Sequence, residues 1–109
     1  MNKVSAKNVL GSDAYWVVNK RLVYELDDIL AAVLLSYLVD KEDYHRKRDE
    51  LVLIDGDEYF FAVSDKMKEK TTLGYKQQKR CLEILKSHGL IKEVLYGVPA
   101  RLHFAICHN

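Results

Sequence analysis

The sequence predicts an α+β domain. Apolar residues recur at helical spacing in two separated stretches, and short apolar runs flank glycine-containing turns at two places. The length, 109 residues, fits one domain. Hydrophobic residues make up 49% and charged residues 30%, a globular balance that argues against disorder and fibre. A chain of this size buries roughly two-thirds of its unfolded surface, enough for a core without staples.

Each element follows in order. Tyr15 to Val18 is short, apolar and extended. Between Val23 and Val39 the apolar positions Val23, Leu26, Leu30, Val33, Leu34, Tyr37 and Leu38 stand three and four apart. That spacing describes a helix whose second half sits deep in a core. Lys41 to Glu50 is almost all charge and predicts a solvated loop or a frayed helix end. Leu51–Ile54 and Tyr59–Val63 flank Asp55-Gly56, which suits a tight hairpin turn because glycine tolerates positive φ. Ser64 is placed to cap a short second helix from Asp65 to about Lys70, with an acid in its first turn. Thr71-Thr72-Leu73 turns into a third helix, Tyr75 to about His88, and Gly89 is its left-handed terminator. The remainder, LIKEVLY-GVPA-RLHFAIC, reads as two strands around a Gly/Pro turn. This order is the layout of a winged helix-turn-helix. It has a three-helix core, a C-terminal two-stranded β-hairpin wing and an additional N-terminal strand or hairpin. One such domain fills residues 1–109, with 1–13 as a flexible N-terminal segment.

The stretch EKTTLGYKQQKRCLEILKSHGLIKEVLYGVPARLHFAI resembles the helix-turn-helix and wing of bacterial and phage winged-helix proteins. Thr71 and Leu73 match the turn, Cys81-Leu82 and Leu85 the buried side of the helix, and Gly89-Leu90-Ile91 its exit. The wing GVPARLHFAI is similar to the ending common in replisome-organiser and replication-initiator domains of phages and plasmids. The resemblance covers Tyr59 to Ile106, and more loosely the helix before it. It implies binding to origin DNA and recruitment of other replication proteins. Thr72 departs from the pattern by replacing the turn glycine, and Gly74 stands where a capping serine is usual. The acidic insert around Lys41 to Glu50 is also longer than the family pattern.

Net charge is only +1, but it is partitioned. Residues 31–63 carry four Lys/Arg against eight Asp/Glu, whereas residues 64–92 carry eight Lys/Arg against three Asp/Glu. The basic third should face an anionic partner. With Cys81, Leu82 and Leu85 inward, Tyr75, Lys76, Gln77, Lys79 and Arg80 fall on the outer face of the third helix. The first turns of a recognition helix reach base edges in the major groove, and later residues meet phosphates. Gln77 suits adenine and Arg80 suits guanine, each through paired hydrogen bonds. Lys76 and Lys79 suit phosphates. Lys66, Lys68 and Lys70 precede the turn, and Lys70 is the one taken as a phosphate contact. Arg101, after Pro99 near the hairpin tip, is placed for a minor groove. Any solvated helix also carries lysines; their coincidence with the recognition position favours duplex DNA as the partner.

Other chemistries find less support. His103, Cys107 and His108 lie on one tail, and a strand points Cys107 and His108 to opposite faces, so no metal and no cofactor are expected. Glycine-rich phosphate loops and nucleophile elbows are missing, and Asp27-Asp28 and Asp55-Gly56-Asp57 read as a helix opening and a turn. An enzyme acting on a small-molecule substrate is not expected. Two cysteines make no disulfide framework, which points to a reduced, cytoplasmic protein. Ile29 to Leu35, the longest apolar stretch, is too short for a membrane span. Tyr15, Trp16, Tyr24 and Tyr37 crowd the N-terminal third and suit either packing of the first helix or a homodimer seam. The expected function is non-enzymatic binding of double-stranded DNA in replication initiation of a phage, plasmid or other mobile element. A small transcriptional regulator and a protein-interaction module without DNA binding are the alternatives.

Overall fold

The computed structural model describes residues 16–108. Its elements are α1 (Lys20–Leu26), α2 (Ile29–Lys47), β1 (Val52–Ile54), β2 (Asp57–Phe61), α3 (Ser64–Thr71), α4 (Tyr75–Ser87), β3 (Ile91–Tyr96) and β4 (Arg101–Ile106). The architecture is α+β, as the sequence predicts, and four helices with an antiparallel sheet are compatible with a winged helix. The segment 1–13 and Tyr15 lie outside the described residues. Trp16, Val17 and Val18 form no strand.

The single helix expected from Val23 to Val39 is two helices. Asp27 closes α1 in the left-handed conformation, φ 51°, with its amide bonded to the Tyr24 carbonyl. Asp28 then opens α2, its Oδ1 accepting from the amides of Leu30 and Ala31 at 2.9 and 3.2 Å. A short polar side chain tolerates the left-handed region, and aspartate is among the best N-caps, so this dipeptide ends one helix and starts the next. Apolar periodicity runs across the break because Val23 and Leu26 still pack on the same core.

A second difference is the far end of α2, which continues through Lys47 where a loop or frayed end is expected. Its charges pair at helical spacing, Lys47 with Asp43 at 2.9 Å and Arg46 with Glu42 at 3.9 Å. Glu42 is buried, and Nε2 of His108 lies 3.0 Å from both of its carboxylate oxygens.

β1 and β2 form the expected hairpin, with Asp55 and Gly56 both at positive φ, as a two-residue turn of this hand requires. That hairpin does not stand alone. β2 pairs with β4, Phe60 opposite Phe104 and Phe61 opposite His103, giving one antiparallel sheet in the order β1-β2-β4-β3. The core lies between this sheet and the helices. Leu34 and Leu38 of α2, Met67 of α3, Cys81 and Leu85 of α4, and Phe60 and Phe104 of the sheet are all fully buried. Cys81 is the small core residue the sequence predicts. Tyr37 is also a core residue, which removes it from the expected surface seam, whereas Trp16 and Tyr24 are exposed.

Candidate nucleic-acid interface

α3, a three-residue connection and α4 form a helix-turn-helix. Its turn is held from inside. Gln78, 2% exposed, donates from Nε2 to the carbonyls of Ser64 at 3.1 Å and Leu73 at 2.9 Å, and its Oε1 accepts from the Ser64 hydroxyl at 2.6 Å. One side chain thereby ties the start of α3, the turn and α4 together. This corrects the reading of Ser64: the N-cap of α3 is Val63, and the serine hydroxyl points at Gln78. Thr72 occupies the turn at φ 64°, the position where the resembling family carries glycine. At the other end of α4, Gly89 takes φ 69°, its amide bonds Lys86 and the Leu90 amide bonds Leu85. This is the double hydrogen bond of a glycine-terminated helix.

Burial along α4 agrees with the predicted faces. Gln78, Cys81, Leu82 and Leu85 are inside; Tyr75, Lys76, Gln77, Lys79 and Arg80 are exposed. Several outer side chains have partners that the sequence did not reveal. The Tyr75 hydroxyl donates to Asp65, and that hydrogen bond raises its pKa above the usual tyrosine range. Lys68 Nζ lies 5.1 Å from the centre of the Tyr75 ring. Gln77 Oε1 accepts from the Gly74 amide at 2.9 Å, so a paired contact to adenine has to share an oxygen already engaged in the cap. Arg80 Nε lies 3.1 Å from Oδ2 of Asp28, the residue that caps α2. Arg101 opens β4 opposite Tyr96, with its guanidinium 5.1 Å from the Phe61 ring centre. Beyond it, Val98 at the hairpin tip is fully exposed. Lys70 is not brought together with the α4 residues: it lines a cleft between α3 and α2.

The basic third is partly compensated. Lys66 pairs with Glu69 at 3.2 Å, Lys86 with Glu83 at 2.9 Å and Glu93 at 3.6 Å, and Lys92 with Asp57 at 2.7 Å. Hydrogen bonding to Lys86 holds the Glu83 carboxyl below its ordinary range, and the same contact raises Lys86. Asp57 likewise raises Lys92. Among the described residues, Lys68, Lys70, Lys76 and Lys79 make no ion pair, and of these Lys76 and Lys79 stand on the outer surface of α4. That surface can attract an anion over its length and leaves Tyr75, Gln77 and Arg80 beside it as hydrogen-bonding groups.

Gln78 is the positioning residue that the sequence reading missed. Its signal was present, since it sits in the inward stripe with Cys81, Leu82 and Leu85 as the one polar member. His103 is buried between Phe61 and Tyr96, its ring centre 5.7 and 5.4 Å from theirs, and His108 is directed to Glu42. Among the described residues, no group of three His, Cys, Asp or Glu is arranged to hold a metal. No described helix is long and apolar enough to cross a membrane.

Solved structures share this overall fold. The structure of a Rep–DNA complex aligns with a TM-score of 0.69 at 14% identity, over 97% of this chain and 83% of that one. The N-terminal domain of a DNA-binding protein aligns with a TM-score of 0.62 at 15% identity, over 98% of this chain and 84% of that one. At these identities the likeness is one of fold. No protein-family model and no curated protein matches the sequence.

Proposed function

We propose that this chain is a non-enzymatic winged-helix domain that binds double-stranded DNA, with α4 in the major groove and the β3–β4 hairpin as the wing. The observation that carries the reading is the pair Lys76 and Lys79, exposed on the helix that follows the turn and in no ion pair among the described residues. Those lysines hold phosphates, Tyr75, Gln77 and Arg80 face the bases, and Arg101 lies against the backbone or minor groove near the wing tip. The role is replication initiation in a phage, plasmid or other mobile element. It is supported by the wing sequence GVPARLHFAI and by the likeness of the fold to a Rep–DNA complex. A second copy reading a half-site about one DNA turn away belongs to the same reading, as does recruitment of other replication proteins.

The test is a salt-titrated binding experiment with duplex DNA. Lys79→Ala should weaken binding to all sequences and reduce the slope of log affinity against log salt by about one. Wild-type protein without salt-dependent duplex affinity, or a Lys76→Ala, Lys79→Ala double variant that binds as well as wild type, would return the fold to protein interaction.

A further inference from the structure

A cleft of about 300 Å³ lies between the C-terminal half of α2 and α3. Its walls combine three aromatic side chains, Trp16, Tyr37 and Tyr44, with three lysines, Lys41, Lys66 and Lys70. Lys66 and Lys70 stand one helical turn apart on α3, so both reach the same side, while Lys68 points the other way, over Tyr75. α3 therefore separates the cleft from the surface of α4. Tyr37 forms a buried wall, and burial, and then Glu69, raise the pKa of its hydroxyl. Trp16 and Tyr44 remain 38% and 49% exposed. Lys41 Nζ lies 4.9 Å from the Tyr44 ring centre, which leaves that lysine beside an aromatic face. The acids nearby, Asp40 in the wall and Glu69 on Lys66, leave the lysines in excess.

Aromatic faces alternating with lysines match a ligand with a flat heterocycle and a phosphate. A duplex keeps its bases stacked and cannot offer one to a cleft of this volume, whereas a single strand can. We propose that this cleft takes one unstacked base of single-stranded DNA, its ring against Trp16 and Tyr44 and its flanking phosphates on Lys66 and Lys70. The site does not rest on duplex binding by α4, since it uses other residues on the far side of α3.

Trp16 is the single tryptophan of the chain, so its fluorescence reports the cleft directly. The full chain is titrated with an oligothymidine strand, and separately with a labelled duplex followed by anisotropy. The single strand should quench Trp16 in a saturable, salt-weakened manner. Tyr44→Ala should weaken single-strand binding about tenfold, as expected for one lost stacking contact, and Tyr44→Phe should restore it. Lys66→Ala should reduce the single-strand salt slope by about 0.7. Duplex anisotropy should be the same in all three variants. Absence of quenching, single-strand binding unchanged by Tyr44→Ala, or equal loss of duplex binding in Tyr44→Ala would overturn the proposal. A chain that binds the single strand through Tyr44 but no duplex would overturn the duplex reading and leave this site standing.

Discussion

Replacing Thr72 by glycine should make the protein more stable. Thr72 closes α3 at φ 64°, ψ 3°, with its amide bonded to the Lys68 carbonyl at 2.8 Å. Its side chain is exposed and makes no hydrogen bond among the described residues. An L-residue in the left-handed region costs roughly 1–2 kcal/mol, and β-branching puts threonine at the unfavourable end of that range. Glycine takes the conformation freely but loses more chain freedom on folding, about 0.5–1 kcal/mol. The balance is a gain of about 0.5–1 kcal/mol for Thr72→Gly. For a domain of this size, 1 kcal/mol moves the melting temperature by roughly 4–8 °C, so Tm should rise by about 2–8 °C. Thermal unfolding followed by circular dichroism reads it. Thr72→Ala is the control, since it removes the branch but keeps the Cβ atom that the left-handed region disfavours. A glycine variant melting at or below wild type, or an alanine variant gaining as much, would refute the strain argument.

Leu85→Ala, at a fully buried position, should cost about 2–5 kcal/mol and lower Tm without changing duplex affinity per folded molecule; wild-type melting would place Leu85 outside. Gln78→Leu should destabilise by about 1–3 kcal/mol although it adds apolar surface, because the Ser64 and Leu73 carbonyls lose their donor; urea unfolding with an unchanged midpoint would count against the clamp. Asp28→Asn keeps the cap of α2 and should hold stability within about 1 kcal/mol, while releasing Arg80 and strengthening duplex binding at low salt. Weaker binding in that variant would show that Asp28 holds Arg80 where DNA needs it. Burial, and then Asp28, push the Cys81 thiol up, against the opposing effect of Arg80. The folded chain therefore holds that proton to higher pH than the unfolded chain, and its contribution to stability is lost as pH rises through the alkaline range. A thiol reagent at mildly alkaline pH should titrate Cys107 quickly and Cys81 only on unfolding; two fast thiols would contradict the burial.

The helix-turn-helix was legible because several local signals agree. Cys81, Leu82 and Leu85 set the inner face, Gly89 ends the helix, and Thr71-Thr72-Leu73 makes the turn before it. The outer residues Tyr75, Lys76, Gln77, Lys79 and Arg80 follow from that inner face. Their partners did not follow, because Asp65 and Asp28 come from other elements and only the folded chain brings them near. The break between α1 and α2 was hidden by apolar spacing that continues across it. The charged end of α2 looked like a loop because pairing of Lys47 with Asp43, and burial of Glu42 against His108, are invisible to hydropathy. Pairing of β2 with β4 left no local mark either, since Phe60 and Phe104 are more than forty residues apart.

That pairing decides how the protein can be cut. β2 and β4 are neighbours in the sheet, so everything from α3 through β3 hangs between two strands that fasten to each other like a clasp. A peptide beginning at Ser64 contains the whole helix-turn-helix and hairpin. It would nevertheless bare the edge of β4 and remove Phe60, whose ring centre lies 6.4 Å from that of Phe104. The helix α4 is therefore not a transplantable module, and the smallest excisable piece must start before Asp57. A small chemical label at Gly97–Ala100, where the chain turns in open solvent, asks no strand to let go and would sit at the proposed wing tip.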